Sequence, residues 1–496
     1  MTSPERNEAS LSSRRVTRRS FFESVSGGIY GAALASLLKS DLAAVESTVA
    51  QPESLTAPRR IHDMRPRPPH FEPAAKSVIQ LFMNGGPSQM DLFDPKIELE
   101  KNHGKAHFEK IASELESPTQ AGTIMKSHFK FARHGECGAD VSELMPHFAK
   151  VVDDVAFIRS MYTTNLTHEP ALFKIHTGQM ISGLPVMGSW ITYGLGSVNQ
   201  NLPGYVVLED PLGLPVNHEM AWKSGYLPPV YQGTRFRSTG SPVLNLAPEF
   251  EEPEEVTKLE RQLIGALDRR HRAQRFGQPQ LAARIASYEL AARMQMAASD
   301  ALDVSQETEQ TRELYGVGKK PTDSYGRRCL IARRLVERGV RFVQLFIDFQ
   351  IWDHHSNIEN GLRSACARTD QPIAALITDL KRRGLLDETL IVWGGEFGRL
   401  PIAQVGGGTR TVGRDHNKNA MATWMAGGGV KGGITYGATD ELGFAAVENK
   451  VAVQDWHATI LHQIGLDHHD LYYERNGLKD RLTGTFEARV VKEILV

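Results

Sequence analysis

A unit of helix, glycine, apolar strand and acid occurs twice in the second half of the chain, and it restricts the possible folds more than any other feature. In the first copy the spacing predicts a helix over Arg327–Arg338 stopped by Gly339, then a strand from Val340 to Ile347 ending in Asp348. In the second, Pro372 is expected at a helix start and Gly384 at its end, with a strand Thr389–Trp393 followed by Glu396. Proline in a first turn and glycine past the last one are the usual helix punctuation. Unbroken apolar strands between helices require a sheet covered on both faces, hence a mostly parallel one. Ser77–Met83, stopped by Asn84-Gly85-Gly86-Pro87, reads as a further strand. Val155–Ile158 reads as another, preceded by an expected helix over Ser142–Val152. The expected class is α/β. Ligands of such sheets bind beyond the carboxyl ends of the strands, so acids and histidines found there are site candidates.

Two regions depart from this alternation. Within 254 to about 320, Leu259, Leu263 and Leu267 recur at helical spacing, Gly277-Gln278-Pro279 interrupts, and Leu281, Ile285 and Tyr288 resume. This predicts a helical hairpin or broken helix inserted at the domain edge and packed as an amphipathic pair. At the front, Arg14, Arg15, Arg18 and Arg19 precede a mildly apolar stretch, Phe21–Leu38, rich in Gly, Ala and Ser. A comfortable membrane span needs about 20 strongly apolar residues, so this stretch reads as a signal peptide. Thr17-Arg18-Arg19-Ser20-Phe21-Phe22 resembles the twin-arginine export signal. The expected divisions are a signal peptide at 1–50, a Pro- and Arg-rich linker at 51–75 and one domain at 76–496. Export by the twin-arginine machinery to a periplasmic or other extracytoplasmic place follows, with no stable membrane span in the mature chain.

Charge and cysteine usage narrow the function. Among 496 residues, 57 Lys and Arg nearly balance 58 Asp and Glu. That leaves no bulk attraction to a polyanion, so a general nucleic-acid binder is excluded. Cys137, Cys329 and Cys366 are too few for a disulfide framework and sit in no nucleophile context. No Gly-x-Ser-x-Gly elbow, His-Glu-x-x-His helix or phosphate-binding P-loop occurs, and the runs Gly406-Gly407-Gly408 and Gly427-Gly428-Gly429 read as turns.

Four groups do carry chemistry. Asn84 to Asp94 combines glycines, which let a backbone approach an anion, with Asp91 and Asp94. Asp348 to Asn357 holds Asp353, His354 and His355. Gly394-Gly395-Glu396-Phe397-Gly398-Arg399 pairs a carboxylate with an arginine suited to an anion. Gly413-Arg414-Asp415-His416-Asn417 completes the set. Mixed oxygen and nitrogen donors without sulfur point to a divalent metal ion: Zn, Mn, Mg or Ca.

The chain resembles the twin-arginine-exported proteins of domain-of-unknown-function family 1501. The residues that carry the resemblance are Asn84 to Asp91, Trp352-Asp353-His354-His355, Glu396-Phe397-Gly398-Arg399, Arg414-Asp415-His416-Asn417 and Asp455-Trp456-His457-Ala458-Thr459-Ile460-Leu461. That family is related to the alkaline phosphatase and sulfatase superfamily. The resemblance implies an alkaline phosphatase-like three-layer sandwich and metal-assisted transfer of a phosphoryl or sulfuryl group from an anionic ester or a sulfated or phosphorylated glycan. Under it, Asp91, Asp353, His355, Glu396, Asp415 and His416 hold one or two metals, and Arg399 binds the substrate anion. Thr177-Gly178 resembles the end of the sulfatase nucleophile helix, which puts Thr167 or His168 at the attack position. Asn165-Leu166-Thr167-His168-Glu169-Pro170 lacks the Cys/Ser-x-Pro-x-Arg motif that formylglycine formation needs. A threonine hydroxyl or a water activated by a metal is left as the attacking group. The competing expectation is a non-catalytic relative whose pocket binds anionic glycans or envelope partners.

Overall fold

The computed structural model describes residues 62–237, 253–275, 278–405 and 412–496. The expected signal peptide, linker residues 51–61 and Gly406-Gly407-Gly408 lie outside the described residues. Residues 62–75 have no regular structure but are tied to the domain: Arg67 N donates to Leu195 O, His70 N to Gly465 O and Ala75 N to Gln463 O.

Among the described residues, nine strands make the central sheet: β1 Ser77–Phe82, β2 Val155–Tyr162, β3 Tyr205–Leu208, β4 Thr234–Phe236, β5 Phe342–Phe346, β6 Thr389–Gly394, β7 Met421–Ala426, β8 Ile434–Tyr436 and β9 Val451–Ala452. They lie in the order β8-β2-β7-β6-β1-β5-β3-β4, with β9 also on β2. Every neighbouring pair is parallel except those that β7 forms with β6 and β2. The longer helices are α1 His168–Thr177, α2 Met187–Leu195, α3 Glu254–Ala273, α4 Pro279–Leu302, α5 Asp323–Glu337, α6 Ile358–Arg382 and α7 Val453–Gln463.

Side chains alternate across a strand, and here both sides are covered. Ile79 and Leu81 of β1 enter one core with Leu330 and Leu335 of α5 and Leu376 and Ile377 of α6. Val78 and Phe82 enter the other with Ile175 of α1, Ile191 of α2 and Ile460 and Leu461 of α7. The register Val78↔Phe342 and Val78↔Leu390 keeps the faces of β1, β5 and β6 aligned. The result is the expected α/β sandwich of three layers around a mostly parallel sheet. Among the described residues no helix is long and apolar enough to cross a membrane.

Four local expectations are corrected. The strand of the first unit begins at Phe342, because Val340 N bonds Leu335 O and closes the turn after α5, where Gly339 adopts φ +81°. Pro372 does not start a helix but lies inside the 25-residue α6. A proline there costs roughly 3 kcal/mol. Burial of Leu362, Ala365, Ile373, Leu376, Ile377 and Leu380 along the helix outweighs that cost. Ser142–Val152 is not helical. Pro146 interrupts it, and the Asp370 carboxylate of α6 accepts from His147 N at 2.8 Å and Phe148 N at 2.7 Å, pinning short 3-10 turns at Phe148–Lys150 and Val152–Asp154. Finally, 254–302 forms two helices, but only α4 packs into the core, through Met294, Ala298 and Ala301. Leu259, Leu263 and Leu267 of α3 are exposed.

Candidate metal centre

The loops that follow β1, β2, β5 and β6 meet at the carboxyl edge of the sheet. The β1 loop can touch the β5 loop only because residue 85 is glycine: its φ is +107°, and a Cβ would lie 2.6 Å from Asp353 N. Asn84 ties the same loops, donating to Ile347 O at 2.6 Å and accepting from Trp352 N at 3.1 Å. The β6 loop turns back as a two-residue ladder in which Arg399 pairs with His416. His168 opens α1, so its side chain stands at the end of the segment leaving β2.

Asp353 is the focus. His355 Nε2 lies 3.0 Å from its Oδ1, His416 Nε2 3.3 Å from the same oxygen, and His168 Nε2 3.4 Å from Oδ2. The far nitrogen of each ring is bound to an oxygen. His168 Nδ1 is 2.7 Å from Glu396 Oε1, and His355 Nδ1 is 2.5 Å from Gln404 Oε1. His416 Nδ1 is 2.6 Å from Leu166 O and 2.5 Å from Glu116 Oε2. A carbonyl oxygen and an ionised carboxylate only accept, so each Nδ1 carries a hydrogen, and each Nε2 faces the Asp353 carboxylate with a proton or, beside a bound ion, with a lone pair. Thus three Nε2 atoms and one carboxylate, all within 4.8 Å of one another, converge on one point. His168 Nε2 is buried and makes no well-formed hydrogen bond. Imidazoles oriented by outer oxygens, with one orphaned nitrogen, form a donor set that could hold a divalent metal ion. Glu116, Asp415 and His416 form a second such group, sharing His416.

The electrostatics follow from the crowding. Burial works against charge on Asp353, yet Arg399 and the three histidines hold its carboxyl far below the usual carboxylate range. Burial also works against a proton on His168, but the neighbouring Asp353 and Glu396 carboxylates outweigh it and raise its pKa to about 9. His355 is likewise raised by Asp353 against the opposing effect of burial. The hydrogen bond to His416 lowers the pKa of Glu116. His354 faces the other way, its ring against Gly361 of α6, and burial lowers it to about 4.

Other expected site residues are placed differently. Asp91 does not join the group: it is buried against Arg414, whose Nε is 2.8 Å from Oδ2, and Ser88 donates to the same oxygen. Glu396 bonds His168 Nδ1 and accepts from Gly85 N at 2.9 Å, so it stands one shell outside. Asp415 accepts from Ser117 N at 3.0 Å and from His416 N at 2.8 Å. Arg399 was expected to face a substrate anion. It is buried instead, with its guanidinium bonded to Gly85 O, Gly86 O, Arg414 O and Asp353. Thr167 caps α1; its hydroxyl makes no capping bond and the residue is exposed beside His168. Glu116 and Gln404 escaped the sequence reading, since neither follows a strand of the central sheet or belongs to a ligand-dense run.

The family described as "Protein of unknown function (DUF1501)" matches residues 75–495. No curated protein sequence matches the chain. Among solved structures, the phosphonate monoester hydrolase of Agrobacterium radiobacter is similar at 11% identity and a TM-score of 0.34, covering 85% of this chain and 77% of its own. The lipoteichoic acid synthase from Listeria monocytogenes is similar at 9% identity and a TM-score of 0.33, covering 83% and 75%. The alkaline phosphatase from the Antarctic bacterium TAB5 follows at 12% identity and a TM-score of 0.29, covering 73% and 94%. Likeness of this degree says nothing about the chemistry of this chain.

Proposed function

The chain belongs to the DUF1501 family, and on that premise we propose that it is a metal-dependent hydrolase of a phosphate or sulfate ester. One observation carries the reading: three histidines, each anchored through Nδ1 to an outer oxygen, turn their Nε2 atoms toward Asp353. His168, Asp353, His355 and His416 would hold the ion. Three imidazoles and one carboxylate suit zinc or manganese better than magnesium or calcium, which prefer all-oxygen sites. A divalent ion supplies Lewis acidity toward a phosphoryl or sulfuryl oxygen. The protein's own groups do the rest. Glu396 fixes the His168 ring, Glu116 and Gln404 fix the other two, and Arg399 keeps Asp353 ionised. Thr167 lies open to an incoming ester at the helix start, where backbone amides favour an anion.

The test is metal content followed by activity. Purified protein is expected to carry about one equivalent of zinc or manganese, in line with one complete donor set. His416→Ala should lose that metal and at least tenfold of its turnover of aryl phosphate or aryl sulfate. A metal-free protein whose melting temperature no divalent ion raises would sink the reading. The saturated guanidinium of Arg399 favours a second reading: a non-catalytic pocket that binds sulfated or phosphorylated glycans or envelope partners. Metal uptake with no ester turnover, together with glycan binding, would select it.

We also propose export by the twin-arginine machinery, on the strength of Arg18-Arg19 before a mildly apolar stretch. A reporter fused after residue 50 should reach the periplasm and fail to do so with Arg18→Lys and Arg19→Lys together. Unchanged export of that variant would exclude this route.

A further inference from the structure

Glycine aside, four described residues hold a positive φ. Three are asparagines, Asn357, Asn449 and Asn476, which tolerate it. The fourth is His218, at φ +46°. Such a backbone persists where its surroundings over-determine it, and here they do. His218 N donates to Pro215 O at 2.8 Å, and Met220 N donates to Asn217 O at 3.0 Å. The turn ends in Trp222, which is buried with its ring 5.7 Å from that of Phe346 at the end of β5. Upstream, Arg368 pairs with Asp210 at 3.4 Å and at 2.8 Å with Asp348, in the loop that leads to Asp353. The buried Asn217 donates through Nδ2 to Glu169 O, in the first turn of α1, at 3.0 Å. Segment 210–222 is thus fastened to the β5 loop and to α1, which carry Asp353 and His168.

What the segment presents there is unpaired. His218 and Glu169 are exposed, and neither side chain has a hydrogen bond or ion pair among the described residues. Asn217 Oδ1 is buried and has no donor. Glu219 and Lys223, the other charges of the turn, pair with each other at 3.3 Å. The edge beside His168 therefore holds two acceptors without donors and an imidazole that can donate or accept. A second anionic group on a ligand would meet the Glu169 carboxylate, and an apolar group would leave these polar atoms without partners. A hydroxyl group satisfies each of them. We propose that Glu169, Asn217 and His218 select an ester whose organic part carries hydroxyl groups, a polyol or a sugar. This specificity rests on the ester-hydrolase reading of the adjoining centre.

The test compares KM for phenyl phosphate, glycerol phosphate and glucose 6-phosphate, and for the corresponding sulfates, in the full chain loaded with zinc or manganese. The wild type should show a KM for the glycerol or the glucose ester about tenfold below that for the phenyl ester. Which of the two is lower separates polyol from sugar. His218→Gly and Glu169→Ala should each raise that KM about tenfold and leave the phenyl KM and the metal content as they were. His218→Gly should also melt no lower than the wild type, because glycine takes a positive φ freely. A fall in its melting temperature would mark the ring as structural and overturn the proposal, as would a rise in every KM alike or in none. A wild type that turns over no ester overturns the hydrolase reading and this specificity with it. A wild type whose lowest KM is for a phenyl ester overturns the specificity alone.

Discussion

Two histidines beneath the site show how burial, above other causes, strips a proton. His176 lies against the Phe82 ring with its Nδ1 3.4 Å from Gln344 Nε2, and burial drives its pKa down to about 3. His457 Nε2 is 2.8 Å from Ile175 O, and burial lowers it to about 4. Both stay neutral in the folded chain, while the unfolded chain takes up protons near 6.5. The unfolded state therefore binds more protons below that value. The stability these groups contribute is complete above pH 6.5 and is lost as pH falls toward their folded values. Each removes up to about 1.4 kcal/mol per pH unit in that window. The denaturant midpoint should fall between pH 7 and pH 5, and His457→Gln should make that fall shallower. An equal slope in the variant would contradict this account. Residue type was legible here but environment was not: His457 stands in the same motif-rich tail as Asp455, yet Asp455 serves as a helix cap, accepting from Ala452 N at 3.0 Å.

At the scale of elements, the centre depends on one close crossing of loops. A side chain at position 85 would meet the backbone of Asp353 and would need a φ that L residues rarely adopt. Gly85→Ala should therefore cost about 1–3 kcal/mol in strain, read by urea unfolding, and should also lower metal retention. Wild-type stability and metal content in that variant would show that the loops yield freely. The elements themselves were largely readable. β1, β5 and β6 are mostly apolar runs, broken only by Gln80 and Gln344 in the first two, because both of their faces are buried, whereas β2 carries Arg159 and Ser160 among its apolar residues. Pro372 misled because its usual place is a first turn, and only the length of the apolar face of α6 reveals that the helix passes through it. Asp353, His355 and His416 stood out by density after strand ends. Glu116 did not, since it reaches His416 from an irregular segment far away in sequence, and only the fold brings it there.

For the whole molecule, strand order carries a consequence in time. β1 is the first strand of the sheet in sequence and lies between β6 and β5, while β2 joins the sheet through β7. Neither early strand has a sheet neighbour until Phe342, Thr389 and Met421 have been made. His168 likewise waits for Asp353 and His416 before its centre exists. Contacts this distant along the chain slow folding, because loop closure precedes any pairing. A ribosome releasing this chain thus delivers β1 and β2 long before their partners, so a nascent chain cut short before Met421 can pair β4-β3-β5-β1-β6 but leaves β2 with no neighbour.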